Sequence, residues 1–312
     1  MITTVTLNPA IDKTLYIDDF TVNSINRVKR IKETQSGKGI NVSRLLQRFG
    51  IPCCCTGFMA GEKGRQIHES LCLLNIKSDF IWVEGEVRTN IKIADIKNNT
   101  FTDINETGFN VKEYEIEQLI EKVKELSWKS RIIIMSGSIP GNVPEDIYST
   151  LIKHIRQEKD IPVILDTSGQ FLRYGAEARP DILKPNIHEL EELTGVKCFN
   201  KHDVIQVCRS LNKKGIKIVI VTMGEAGAVA VTDTSVYEVN APKVQVMSTV
   251  GAGDCFLGGF CYGIYNGFDM ENALKMAASC ASAKVTMEGT EIPKKNELLK
   301  FITDIEVKEY NI

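Results

Sequence analysis

Short apolar runs alternate with longer amphipathic stretches along most of the chain. The runs at 2–7, 53–58, 132–135, 163–166, 182–184, 217–222 and 228–232 have strand length. Ile218, Val219, Ile220 and Val221 are continuously apolar, which suits a strand covered on both faces. Segments at 40–49, 65–74, 112–126, 145–158, 187–193, 203–214, 254–265, 270–287 and 295–303 carry helical periodicity. Strand and helix in alternation predict a mostly parallel sheet wrapped by helices, an α/β fold.

Two stretches break the rhythm. Positions 14–20 with 27–34, and 80–96 with 100–104, read as strands with no helix between them. Thr89–Asn90–Ile91–Lys92–Ile93–Ala94 alternates polar and apolar side chains, the pattern of a sheet with one wet face. The expectation is a small β-sheet lid built from excursions at about 13–35 and 80–106, within one α/β unit spanning 1–312. Ordinary edge hairpins are the competing reading.

Composition narrows the class. The 312 residues are 43% hydrophobic and 25% charged, ordinary globular values that exclude a disordered or fibrous chain. Thirty-eight basic residues face 40 acidic ones, so no surface is built wholesale for nucleic acid or anionic membrane. A local anion site is untouched by that balance. No run of 18 apolar residues occurs, and Met1–Ile2–Thr3–Thr4–Val5–Thr6–Leu7–Asn8–Pro9 reads as a strand, not a signal peptide. Nine cysteines and four histidines show no CxxC or HExxH spacing. They predict reduced thiols in the cytoplasm and no structural zinc.

The sharpest chemical feature is Thr249–Val250–Gly251–Ala252–Gly253–Asp254, ahead of a predicted helix. Small residues let backbone N–H groups crowd an anion, and a helix N-terminus adds partial positive charge. Asp254 in the first turn is expected to stay ionised and to accept a proton from an attacking hydroxyl. A glycine turn with Asp254 as a simple cap is the plainer alternative. Ser36–Gly37–Lys38–Gly39–Ile40–Asn41 forms a second anion-compatible turn, and it matches neither a Walker A loop nor GxGxxG. That mismatch argues against a nicotinamide dehydrogenase.

Further polar ends follow predicted strands: Ser136–Gly137–Ser138, Asp166–Thr167–Ser168–Gly169, Lys184–Pro185–Asn186 and Thr222–Met223–Gly224–Glu225–Ala226–Gly227. In an open α/β sheet such ends line the ligand crevice. Asn186 and Glu189, three apart at a helix start, offer oxygen ligands for a water-rich Mg²⁺ or else a plain Asn cap. Arg88 can reach an anion and Asp12 can accept hydroxyls. A solvated edge charge and a turn residue are their plainer roles.

Together these motifs resemble the ribokinase-like carbohydrate kinases, and within them the phosphofructokinase-B branch. The likeness runs from Thr6–Leu7–Asn8–Pro9–Ala10–Ile11–Asp12 to Glu288–Gly289–Thr290, and it is carried by the pairing of Gly37–Lys38–Gly39–Ile40–Asn41 with Thr249–Val250–Gly251–Ala252–Gly253–Asp254. Thr102–Asp103–Ile104–Asn105–Glu106 and Thr290–Glu291–Ile292–Pro293 look like its ketose-phosphate members.

The resemblance implies a ribokinase-like three-layer sandwich with a β-lid, use of ATP and Mg²⁺, and a sugar-phosphate acceptor. Fructose 1-phosphate is the expected acceptor and tagatose 6-phosphate the alternative. Asp254 would be the base, with Gly251, Ala252 and Gly253 forming the anion hole. Asp12, Gly39 and Asn41 would hold sugar hydroxyls, and Lys38, Arg88 and Ser138 the existing phosphate. Lys184, Asn186 and Glu189 would face the ATP phosphates and Mg²⁺, with Thr222, Gly224 and Gly227 under the nucleotide. Cys255, where Ser is common in the family, is a departure that preserves size. A homodimer paired through the lid, and a catalytically silent sugar-phosphate sensor on the same fold, are further expectations to test.

Overall fold

The computed structural model describes residues 1–287, 289 and 291–311. Glu288 and Thr290, part of the C-terminal motif quoted above, lie outside the described residues. The first half runs β1 (Ile2–Thr6), β2 (Ala10–Ile17), β3 (Arg30–Ser36), α1 (Lys38–Arg48), β4 (Cys53–Ala60), α2 (Gly61–Leu73), β5 (Lys77–Val83), β6 (Arg88–Asp95), β7 (Thr100–Asn105), α3 (Glu113–Lys129), β8 (Ile132–Ser136) and α4 (Ile147–Glu158). The second half runs β9 (Val163–Asp166), α5 (Gly169–Glu177), β10 (Ile182–Leu183), α6 (Ile187–Thr194), α7 (Lys201–Lys213), β11 (Ile218–Thr222), β12 (Ala228–Val231), β13 (Ser235–Val239), α8 (Ala252–Tyr265), α9 (Met270–Val285), α10 (Lys295–Ile302) and β14 (Val307–Asn311).

Among the described residues, ten strands form one sheet in the order β14-β13-β12-β11-β10-β9-β8-β1-β4-β5. Pairing is parallel from β5 to β11 and antiparallel from β11 to β14. Alternate residues of each central strand enter opposite cores. Ile133, Met135, Val163, Leu165, Val219 and Val221 face one apolar layer with α2 to α7. Ile132, Ile134, Ile164 and Ile220 face the other, with α1, α8, α9 and α10. This is why those strands read as unbroken apolar runs. Helix α8 lies close against α9 because a Cβ on Gly259 would sit 2.7 Å from Cys280 Sγ and 2.8 Å from the Met276 carbonyl.

Four strands form a separate small sheet, β3-β2-β6-β7. It is mixed: β2 pairs antiparallel with β3 and parallel with β6, and β6 pairs antiparallel with β7. One expectation is corrected here. The stretch 80–96 is two strands in two sheets, because α2 returns β5 to the large sheet as the parallel neighbour of β4. The chain then changes sheets at a turn through Gly85, whose φ is 106°. Helix α5 and strands β13 and β14 were not anticipated. Helix α5 has only nine residues and begins on a glycine at φ 59°, and β14 is largely exposed without an apolar alternation.

Because the central strands are parallel, their carboxyl ends share one edge, as an open α/β sheet requires of a ligand crevice. Thr6, Ser136, Asp166, Lys184 and Thr222 stand at or just beyond those ends.

Candidate active site

Helix α8 opens on Gly251 in the left-handed region, φ 76°. The first amides of a helix have no acceptor within it. The Ala252 N–H turns back on the Thr249 carbonyl at 3.2 Å, so the hole expected from Gly251, Ala252 and Gly253 depends on the amides beside it. Asp254 occupies the first turn and is buried. Its Oδ2 accepts from Asn41 Nδ2 at 2.8 Å. Burial pushes its carboxyl above the ordinary aspartate range, with Asp166 adding to the rise, against the opposing pull of Lys38, the Asn41 hydrogen bond and Lys184. The helix N-terminus was expected to keep this group ionised. A carboxylate whose pKa is raised by burial is the better proton acceptor once ionised.

Asp166, the last residue of β9, ties two lysines together. Lys38 Nζ, on the first residue of α1, lies 3.1 Å from its Oδ1, and Lys184 Nζ, just past β10, lies 3.3 Å from its Oδ2. Burial alone would raise the Asp166 carboxyl, but Lys184 and Lys38 outweigh it and hold it below the usual range. Burial works against the Lys38 charge, yet Asp166, Asp254 and Glu189 together raise its pKa above that of an ordinary lysine. A Cβ on Gly253 would lie 3.7 Å from Lys184 Nζ. The anion hole, both ammoniums and Asp254 therefore form one cluster. Sequence reasoning noted Asp166 only as a polar strand end. The available signal was a carboxylate closing an otherwise apolar Val–Ile–Leu strand.

Lys38 was grouped with Arg88 and Ser138. Arg88 Nη2 donates to Ser138 Oγ at 3.0 Å, and Lys38 pairs with Asp166. Arg88 Nε is buried without a partner. Burial lowers the Arg88 pKa while Asp12 opposes the change. Asp12 and Asn90 stand opposite one another in the β2–β6 register, and Asn90 Nδ2 donates to Asp12 Oδ1 at 2.9 Å. Gly39 has a packing role of its own. A Cβ there would lie 2.5 Å from Thr6 Oγ1 and 3.2 Å from Ser136 Oγ, so its absence lets α1 start directly on the strand ends. Asn41, expected to hold sugar hydroxyls, donates through Nδ2 to Asp254.

On the far side of Asp254 lies a cavity of about 510 Å³ with mainly apolar walls, lined by Thr222, Gly224, Gly227, Val246, Thr249, Ala252, Gly253 and Phe256 among others. Gly227 is required there: φ is 88°, and a Cβ would fall 2.0 Å from the Val239 carbonyl oxygen. Asn186 bridges to Thr222 beside it.

Asn186 and Glu189 form a capping box at α6, Asn186 Oδ1 accepting from Glu189 N at 2.9 Å and Glu189 Oε2 from Asn186 N at 2.7 Å. The cap reading of Asn186 is therefore realised. Glu189 keeps its second oxygen and lies within electrostatic reach of Lys38. No group of three or more His, Cys, Asp or Glu is placed to hold a metal among the described residues. One or two carboxylates with waters and substrate phosphates suit Mg²⁺, and Glu189 fits that pattern. No helix among the described residues is long and apolar enough to cross a membrane.

Known proteins extend these observations. The model of the pfkB family carbohydrate kinases matches residues 5–297. The chain is 35% identical to the 1-phosphofructokinase of Bacillus subtilis, over 93% of this chain and 95% of the relative. It is 32% identical to a tagatose-6-phosphate kinase of Staphylococcus epidermidis, over 98% of this chain and 100% of the relative. A solved structure described as a possible 1-phosphofructokinase from Thermotoga maritima superimposes with a TM-score of 0.88 at 29% identity, covering 99% of both chains. A match that runs through both glycine turns and both sheets, on an edge where Asp254, Asp166 and two lysines converge, means that this chain belongs to the pfkB family of carbohydrate kinases.

Proposed function

We propose that the protein transfers the γ-phosphoryl group of ATP to the 6-hydroxyl of fructose 1-phosphate, giving fructose 1,6-bisphosphate and ADP. The observation that carries this reading is the chain of contacts from Asn41 and Asp254, past Lys38, Asp166 and Lys184, to Gly253 at the rim of the apolar cavity. It joins a proton acceptor to an anion hole between two compartments of different chemistry.

The apolar cavity takes the adenine and ribose, with Thr222, Gly224 and Gly227 beneath them. Arg88 and Ser138 take the phosphate already on the sugar, and Asp12 and Asn41 orient its hydroxyls. The Asp254 carboxylate accepts the hydroxyl proton as that oxygen bonds to the γ-phosphorus and the bond to ADP breaks. The transition state is loose, so positioning and charge carry most of the rate. Lys184, Lys38 and the amides around Gly253 meet the charge that develops on the phosphoryl oxygens. Bound at Glu189 and the ATP phosphates, Mg²⁺ would supply charge neutralisation. The small sheet acts as a lid that excludes water and limits ATP hydrolysis.

Exposed Ile31, Phe101 and Ile104 on that sheet support pairing of two copies through their lids. Sedimentation at twice the chain mass is the expected result. Nine unpaired cysteines, seven of them buried, fit a reducing cytoplasm.

The test is kcat/KM for fructose 1-phosphate, fructose 6-phosphate and tagatose 6-phosphate in parallel, with ATP consumption as the readout. Fructose 1-phosphate is expected to lead. Tagatose 6-phosphate leading would transfer the reading to the second relative's activity, and no ATP consumption with any of them would leave a sugar-phosphate sensor.

A further inference from the structure

Lys284 is the one lysine among the described residues with no exposed surface, and the chemistry above does not use it. It stands in the last turn of α9, where a helix dipole favours a cation. Its Nζ donates to the Gly289 carbonyl at 2.6 Å. Its stem runs behind the anion hole, since a Cβ on Gly251 would lie 3.5 Å from its Cε. The same helix end anchors the segment that enters the hole: the amides of Met247 and Ser248 donate to the Val285 carbonyl at 2.7 and 3.2 Å. Burial lowers the Lys284 pKa from the ordinary lysine value and Lys32 adds to the fall, while the Cys255 thiol, Glu291 and Asp254 around it oppose the change. Burying an ammonium is costly, and an apolar side chain of similar volume would fill the space more cheaply. A charge kept there calls for a use.

We propose that Lys284 is a positioning residue for phosphoryl transfer: its ammonium fastens the Gly251 turn to the Gly289 carbonyl and sets a positive charge behind the anion hole. The phosphoryl group in transfer presents its charged oxygens to the front of that turn. A cation behind a glycine turn strengthens the hole as that charge develops, with no contact to either substrate. The inference rests on the reading of Gly251 to Gly253 as the anion hole.

Two full-length variants test it. Lys284→Met keeps the stem and removes the charge, and Lys284→Gln keeps a donor for Gly289 and removes the charge. Both are assayed with ATP and the best of the three ketose phosphates, with turnover normalised to folded sites by the stoichiometry of nucleotide binding. In both, kcat is expected to fall at least about tenfold while each KM stays within about threefold. Wild-type kcat in either folded variant overturns the proposal, and so does a loss carried wholly by KM or by the folded fraction. Should Lys284→Met fail to fold, Lys284→Gln decides. Asp254→Asn separates the two readings. Turnover retained there removes the catalytic reading itself, whereas turnover lost there and kept in the Lys284 variants removes only the role of Lys284.

Discussion

On the side of Asp254 proposed for the acceptor the polar side chains hold one another: Asn90 on Asp12, Arg88 on Ser138, Asn41 on Asp254. On the nucleotide side the walls are mainly apolar, and shape comes from backbone, as at Gly227. In the proposed reading the first compartment recognises a small, doubly charged ligand whose value lies in where its hydroxyls point. Preorganised donors and acceptors do that. The second, in the same reading, holds a flat ring, for which a slot suffices. Lys38, Asp166 and Lys184 stand between the two, where the proposed transfer moves charge from one ligand to the other.

Substitutions can break or sharpen this contrast. Asp254→Asn at the boundary should cost about 10²–10⁴ in kcat, the usual loss for a general base, with both ligands still bound by calorimetry. A fall of less than about tenfold would place the base elsewhere. Arg88→Ala should raise KM for the sugar phosphate about 10–100-fold, the worth of a charged hydrogen bond, and change KM for ATP little. Equal effects on both would move Arg88 off the acceptor side. Gly227→Ala should do the opposite, raising KM for ATP several-fold and leaving the sugar phosphate alone, because a methyl group there meets backbone. An unchanged ATP KM would detach that turn from the nucleotide.

The smallest effect is in pH dependence. Burial already raises the Asp254 carboxyl, and the Asn41 hydrogen bond stabilises its ionised form. The acid limb of kcat/KM should therefore lie above the ordinary aspartate range, with activity lost as pH falls through it. Asn41→Ala should move that limb to still higher pH. Comparing the two proteins cancels the titration of the substrates. A limb that stays in place would show that Asn41 does not face the titrating group.

Much of this was legible in the residues. The central strands were visible because both their faces are covered, and the two glycine turns because few side chains permit such backbones. The splitting of 80–96 was not, since apolar alternation does not say which sheet a strand joins. Asp166 was seen as a polar strand end but given no role, because its partners come from α1 and the end of β10, 128 and 18 positions away. Lys284 looked like any lysine near a helix end.

The sequence by itself therefore determined the α/β class and the presence of two anion-compatible turns, because these rest on local periodicity and backbone freedom. Tertiary structure alone decided which charges meet. It set Lys38 on Asp166, turned Asn41 onto Asp254 and buried Lys284 beside Gly251. Ion pairing and burial depend on distances between elements far apart in the chain, and those distances exist only once the sheet has brought its strand ends to one edge.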